Sequence, residues 1–453
     1  MSEIIEPRVL KGFRDYLPQD ETARRSLMEA LERVFRSSGF VPIDTPALEY
    51  AEVLLGKGGG ETDKQVYRFQ DKGGRDVALR FDLTVPFARF MAEHVDELYL
   101  PFRRYHMAKV WRGENTQRGR YREFMQCDFD IVGTDSASAD TDILLLIADA
   151  MAALDVGGFT VRVSHRGVFN RFLEGAGLGE KAVAVLRLVD KLEKIGGEEA
   201  KSLLAAEVGE EAARAILSFV AKEGDFEATL AKIEGLAGGP AADTLRLREI
   251  WRNAGEAGFG GNLVLDPSIT RGLDYYTGVV FETSLDSMPE IGSVCSGGRY
   301  DELASLYTAK RLPGVGSSIG LDRLLAALET LGKMKGRAGY TQVLVLAMED
   351  GLSPSYHRIA RALRAAGIAA EVYPEKRKLA QQFSYAERKG IPLAVILGGE
   401  EAAGGTVQVR DLATRESATL PFAQGDPAAL VSAIAGVIGR GENAGFFGER
   451  RKK

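Results

Sequence analysis

The apolar patterning changes character once along this chain, and the change calls for two different sheets. From residue 65 to 132 short strand-like runs dominate, at 65–69, 77–81, 105–112 and 124–132. Their mixed alternation suits an antiparallel sheet with one solvated face. Beyond residue 339 a fully apolar run, 342–347, opens a new rhythm. Strands at 369–373 and 393–397 there are separated by helices at 354–366 and 376–389. Strands alternating with helices of about 12 residues imply a parallel sheet in a separate α/β domain. The glycine- and lysine-rich stretch 332–339 reads as a linker.

Within the first part, residues 20–38 read as an amphipathic helix, with Leu27, Leu31, Val34 and Phe35 at helical spacing and Gly39 placed to end it. The prolines of Phe40 to Pro46 suit an edge strand. Helices are expected at 140–154 and 168–174, strands at 159–164, 262–265, 279–283 and 293–296, and a closing helix from Asp322. Residues 181–255 are rich in Ala, Leu and Glu and interrupt the β pattern, as an inserted helical subdomain would. The expected layout is a domain at 1–331 carrying an insertion at 181–255, a linker at 332–339, an α/β domain at 340–445 and a basic tail at 446–453.

Two cysteines, Cys127 and Cys295, exclude a disulfide scaffold and the common four-cysteine zinc sites. The histidines at 94, 106, 165 and 357 form no ligand pair, so no protein-held metal is expected. No apolar run reaches 18 residues and the N-terminus lacks an apolar core, so neither a membrane helix nor a signal peptide is expected, and the compartment expected is the cytoplasm. A net charge of −6 argues against a packaging protein for nucleic acid, and no DNA partner is expected. The charge is uneven, however. Residues 103–122 hold seven bases and one acid, and 358–389 hold eight bases and three acids, so local basic zones survive the negative total.

Three strings can carry chemistry. Trp111 to Gln126 leaves a strand, crosses a polar loop and re-enters a strand, placing Arg112 and Arg120 at a hairpin mouth. Guanidinium forks suit phosphate oxygens, and Phe124 offers a plate for a purine. Arg271 to Gly278 combines two glycines with the wall of Tyr275 and Tyr276. Gly314 to Leu325 is a glycine-rich strand running into a helix, with Arg323 in its first turn. Its GxGxxxG spacing is not a dinucleotide fingerprint, and no P-loop occurs. Asp82 and Asp130 are acids able to hold an ammonium or imidazole. Gln126, Asp128 and Asp130 share one strand face by alternation.

In order and spacing these strings resemble the histidyl-tRNA synthetase family, class II aminoacyl-tRNA synthetases. Lys11 to Asp15 is similar to the family's opening, Gly39 to Pro46 to motif 1, Arg112 to Gln126 to motif 2, Arg271 to Gly278 to the histidine-specific loop, Cys295 to Asp301 to a glycine-rich segment, and Gly314 to Arg323 to motif 3. The resemblance implies an α+β catalytic domain on an antiparallel sheet and a C-terminal α/β anticodon-binding domain. It implies that Arg112 grips the ATP α-phosphate, Arg120 and Arg323 the β- and γ-phosphates, with Glu114 near the adenine and Phe124 stacked on it. It places Arg271 beside the reacting phosphate as a catalytic group with Arg112, both within reach of histidine. Asp82, Leu83 and Thr84 would hold the amino end of histidine, and Gln126, Asp130, Tyr275 and Tyr276 its ring. Many bacterial members carry Glu where Asp82 stands. ATP, Mg2+, L-histidine, tRNA(His) and a homodimer through motif 1 follow from the same resemblance. A non-catalytic regulatory subunit of ATP phosphoribosyltransferase, which shares the fold, is the alternative, and a scaffold without catalysis a third. The intact arginines and the residues after the linker favour the ligase.

Overall fold

The structure, a computed structural model, describes residues 4–56, 65–190, 192, 196–269, 275–334, 336, 338–438, 444–445 and 448–449. They fall into two compact units, residues 1–15 with 24–334, and residues 16–23 with 335–453.

The strands of the first unit are β1 (Val41–Pro42), β2 (Leu48–Tyr50), β3 (Arg68–Gln70), β4 (Asp76–Leu79), β5 (Phe102–Trp111), β6 (Glu123–Val132), β7 (Phe159–His165), β8 (Leu263–Leu265), β9 (Val279–Leu285), β10 (Cys295–Tyr300) and β11 (Gly314–Gly320). Eight of them form one sheet in the order β1-β5-β6-β11-β10-β9-β7-β8. Its six central strands pair antiparallel, as expected, whereas the edge pairs β1–β5 and β7–β8 are parallel. The proline-bearing β1 sits at an edge, where a missing N–H costs no ladder bond. The runs near 65–69 and 77–81 belong elsewhere: β3 and β4 join β2 in a separate three-stranded sheet. Alternation reveals a strand's wet face but not its sheet.

The first helix, Pro18–Ser37, has Asp20 and Glu21 in its first turn and Arg36 in its last, which complements the helix dipole. Its buried stripe includes Leu27, Leu31 and Phe35. Phe35 lies 5.1 Å from Phe129 of β6, so this helix covers one face of the sheet. Because successive strand residues point to opposite faces, fixing Phe129 there turns Gln126, Asp128 and Asp130 to the other face. Between β7 and β8 the chain runs through helices Ala182–Val189, Gly197–Val208, Glu210–Val220, Phe226–Leu236 and Ala242–Glu256. The basic tail beyond 449 and residues 335 and 337 of the linker stretch lie outside the described residues.

The second unit holds β12 (Val343–Val345), β13 (Ala370–Val372), β14 (Leu393–Ile396), β15 (Thr406–Asp411) and β16 (Ser417–Pro421), in the order β13-β12-β14-β15-β16. The three strands expected from the sequence pair in parallel, and two further strands, β15 and β16, extend the sheet antiparallel from β14. In β15, Val407 and Val409 are buried while their neighbours are half-exposed, the period-two signature of an antiparallel strand with a wet face. Helix 376–389 begins only at Leu379.

Candidate active site

Two parts of the site meet along β6. The first is cationic. β5 and β6 pair along their whole lengths and are joined by the loop 112–122. The loop is pinned at its base, where the Arg112 N–H donates to Arg122 O at 2.9 Å, and at its tip, where Arg120 N–H donates to Gln117 O at 2.9 Å. Gly119 there has φ +70, and a Cβ would stand 3.1 Å from Arg323 Cα. The tip thus rests on the first turn of helix Leu321–Thr330, and Arg120 is brought beside Arg323. Asp322 fastens the same turn to β6 by accepting the Met125 N–H at 2.6 Å.

Arg112 donates from Nε to Phe81 O at 2.8 Å, and its guanidinium lies 5.2 Å from the Phe124 ring centre. Glu114 Oε1 is 3.8 Å from Arg112 Nη1. Arg323 donates to Ser293 O. Burial first, then the charges of Arg120 and Arg112, bring the Arg323 guanidinium down to about 10, with Glu114 opposing. Three guanidiniums gathered close enough for two of them to lower the third form a site suited to a polyanion.

The second part is a buried polar pocket. Asp82 is fully buried. It accepts the Val85 N–H at 3.1 Å on one oxygen and the Tyr275 hydroxyl at 3.2 Å on the other. Burial pushes its carboxyl up to about 6. Leu83 is buried beside it and its carbonyl accepts from Arg104 Nη2 at 3.4 Å. Thr84 opens helix Thr84–His94 and bonds the Tyr275 hydroxyl. Arg104 of β5 is also fully buried, with Nη2 2.8 Å from Asp130 Oδ2 and its guanidinium 4.1 Å from the Phe87 ring. The Tyr300 hydroxyl donates to the other oxygen of Asp130. Gln126 Nε2 donates to Ser318 Oγ at 2.9 Å.

Glycines of β10 and β11 make the room. A Cβ on Gly316 would lie 1.9 Å from Asp130 Oδ1, and one on Gly298 2.9 Å from Tyr276 Cδ1. Thr277 N–H donates to Arg299 O at 2.8 Å and Arg166 Nη1 donates to Tyr276 O at 2.7 Å, which anchors the tyrosine segment. Tyr275 and Tyr276 meet edge to face at 4.9 Å. Burial and the carboxylates Asp130 and Asp128 push the Tyr276 hydroxyl upward.

Of the residues singled out in the sequence, Arg112, Glu114, Arg120, Phe124 and Arg323 gather in the cationic part, and Asp82, Leu83, Thr84, Gln126, Asp130, Tyr275 and Tyr276 in the pocket. Arg271 lies outside the described residues. Arg104, Tyr300 and Ser318 were not among the expected site residues. Arg104 is opposite Asp130 only in the β5–β6 register, and Ser318 opposite Asp128 only in the β6–β11 register. Asp128 was legible as sharing the strand face, but carried no role.

The family model described as histidyl-tRNA synthetase matches residues 12–324, and one described as anticodon binding domain matches residues 342–425. A histidine–tRNA ligase of Treponema denticola is 57% identical over 404 residues, covering 88% of this chain and 90% of that protein. One of Rhodopirellula baltica is 50% identical over 437 residues, covering 95% and 99%. The crystal structure of histidyl-tRNA synthetase from Nostoc sp. PCC 7120 superposes with a TM-score of 0.84 at 34% identity, covering 95% of this chain and 99% of that one.

Proposed function

The chain belongs to the histidyl-tRNA synthetase family, and from that premise we propose that it works as a histidine–tRNA ligase through the two-part site along β6. A carboxylate oxygen of histidine attacks the α-phosphorus of ATP, the bond to the bridging oxygen breaks, and its electron pair leaves with pyrophosphate. A hydroxyl of the terminal tRNA ribose then attacks the histidyl carbonyl and AMP departs. In-line displacement at phosphorus needs positioning and cationic stabilisation more than covalent catalysis. The observation that carries the reading is the gathering of Arg112, Arg120 and Arg323 against a buried carboxylate-lined pocket.

Arg112 takes the α-phosphate, Arg120 and Arg323 the outer phosphates, Phe124 the adenine face and Glu114 the adenine edge. Arg271 is assigned to the reacting phosphate on the family resemblance alone. Asp82 and Thr84, with the Leu83 main chain, take the ammonium. Gln126, Asp130, Tyr275 and Tyr276 take the ring. Hydrogen bonds to a polar ring let such a pocket reject apolar amino acids by large factors.

Magnesium fits as an ion carried in on the phosphates. Among the described residues no three His, Cys, Asp or Glu side chains converge on a metal position. Glu114 and Glu282 are the carboxylates whose charge reaches Arg323, and they would supply its protein oxygens. When bound, the ion neutralises charge on the phosphates.

We place the catalytic domain at 1–331 with its insertion at 181–255, and the anticodon-binding domain at 340–445. The basic stretch 358–389 meets the tRNA by phosphate neutralisation, the homodimer forms through residues 39–46, and the protein acts in the cytoplasm. Among the described residues no helix is long and apolar enough to cross a membrane. The regulatory-subunit alternative is disfavoured by the ligases at 50% and 57% identity and by the match to an anticodon-binding domain. Charging of tRNA(His) with radiolabelled histidine tests the reading. Acid-stable but base-labile label on the tRNA is expected, and none with purified, folded protein would overturn it.

A further inference from the structure

The pocket carries three buried carboxylates, of which two have partners on both oxygens while Asp128 has a hydrogen bond from Ser318 alone. Asp82 accepts from Val85 and Tyr275, and Asp130 lies against Arg104 and Tyr300. Asp128 stands between Gln126 and Asp130 on the same face of β6 and is 2% exposed. Among the described residues its Oδ1 has no hydrogen-bond partner, and neither has Gln126 Oε1. An ionised oxygen withdrawn from water without a donor is costly, so it marks a position that a ligand completes. Asp82, Asp128 and Asp130 are all faced by Arg104, Asp82 also by Arg112 and Asp128 also by Arg80. A carboxylate oxygen left without a donor is best met by a charged one.

We propose that Asp128 is a specificity-determining residue that receives a ring N–H of histidine, so that the pocket takes the substrate with its ammonium on Asp82 and an imidazolium on Asp128. This rests on the ligase reading and adds to it the protonation state of the substrate. A carboxylate beside a cationic ring also discriminates against neutral side chains of similar size.

The groups facing Asp128 are Arg104 and His106 from β5, Asp130 from β6, Asp82 and Arg80 from the segment before helix Thr84–His94, Ser318 from β11, Cys295 from β10, and Tyr275 and Tyr276. His106 is not its counterion. It lies 3.0 Å from Asp44, and burial with the charges of Arg104 and Arg80 brings it down to about 3, so it is neutral. Burial pushes the Asp128 carboxyl up to about 7, with Arg104 opposing and Asp130 and Asp82 reinforcing. A histidine side chain ordinarily titrates at about 6.5. The two groups are therefore matched to share one proton near neutrality.

The test is the pH profile of kcat/KM for histidine in ATP–pyrophosphate exchange, which reports groups on the free enzyme and free substrate. The wild-type profile is expected to peak just below pH 7. Its acid limb comes from protonation of Asp128, reinforced at lower pH by protonation of Asp82, and its alkaline limb from loss of the free imidazolium. In Asp128→Asn the alkaline limb set by the imidazolium should vanish, because a neutral ring N–H suffices for the amide oxygen, and only the later limb from loss of the substrate ammonium should remain. At pH 7 the variant should lose about tenfold to a hundredfold in kcat/KM for histidine, as for a missing charged hydrogen bond, with the KM for ATP kept. A second arm needs no mutation: 2-fluorohistidine, nearly the same size but far less basic, should be used at least about tenfold less well than histidine by the wild type and near equally by the variant. An unaltered alkaline limb in the variant, or equal use of the two amino acids by the wild type, would overturn the proposal and leave the ligase reading standing. No histidine-dependent exchange by the wild type would overturn both.

Discussion

The Tyr275 hydroxyl donates to Asp82 Oδ2 at 3.2 Å across 193 residues of sequence. With the Val85 N–H on Oδ1, that bond fixes both oxygens of a buried carboxylate and leaves lone pairs on each for a substrate ammonium. The contact joins a residue before helix Thr84–His94 to a residue before β9 across the carboxylate-lined pocket.

Asp82→Asn should cut kcat/KM for histidine by roughly 10² with little change in the KM for ATP, the scale of losing a charged partner. Its effect on stability has the opposite sign. Burial raises the Asp82 carboxyl from 3.8 to about 6 in the fold. The folded state therefore holds the proton more tightly than the unfolded chain. That contribution is full below pH 4 and is lost as pH rises through about 6. At pH 8, without ligand, the Asn variant should be the more stable, by on the order of 2–3 kcal/mol. Thermal unfolding at pH 8 and pH 4 measures it, and a lower Tm for the variant at pH 8 would contradict the assignment.

Arg323→Ala and Arg120→Ala should each raise the KM for ATP or lower kcat, with a combined loss in kcat/KM for ATP of about 10² per guanidinium. The KM for histidine should move much less, because neither side chain reaches the carboxylate pocket. Equal losses for both substrates would place these arginines elsewhere.

Gly316→Ala and Gly235→Ala should differ in sign. A Cβ on Gly316 would strike Asp130 Oδ1 at 1.9 Å and Phe129 O at 2.8 Å, so the alanine must displace the strand or the carboxylate. A loss of about 1–3 kcal/mol and a raised KM for histidine are expected. A Cβ on Gly235, in helix Phe226–Leu236, meets nothing within 4 Å, and the substitution should stabilise by roughly 0.5–1 kcal/mol. Denaturant midpoints for the two variants decide it.

Gln382→Ala probes the second unit. The fully buried Gln382 side chain accepts the Ala347 N–H and donates to Ala347 O, both at 2.9 Å. Losing both strands two buried main-chain groups, at about 1–3 kcal/mol each. Charging of tRNA should fall while pyrophosphate exchange persists. Loss of both activities in a folded variant would show that the two units are not separable in this way.

Sequence pattern carried the reading as far as single elements and their faces. Phe35 at helical spacing and Phe129 at strand spacing fix which side of β6 is dry, and the polar triad Gln126, Asp128 and Asp130 follows without coordinates. Arg112, Arg120 and Arg323 were legible because loop and helix-start positions recur in a recognisable order. Pairing was not legible. Arg104 reaches Asp130 because β5 and β6 align in one register, and Tyr300 reaches it because β11 lies between β10 and β6. Neither fact follows from alternation, which is unchanged by sliding a strand two residues. The antiparallel end of the second sheet was missed at Val407 and Val409, whose two-residue period distinguishes them from the wholly apolar β12.

The most direct measurement is ATP–pyrophosphate exchange by the purified protein with each of the twenty amino acids in turn. Exchange with histidine, and none above background with the others, is the expected result if the three guanidiniums receive a triphosphate beside the carboxylate-lined pocket. Exchange that ignores histidine, or no exchange by fully folded protein, would contradict the assignment of this site.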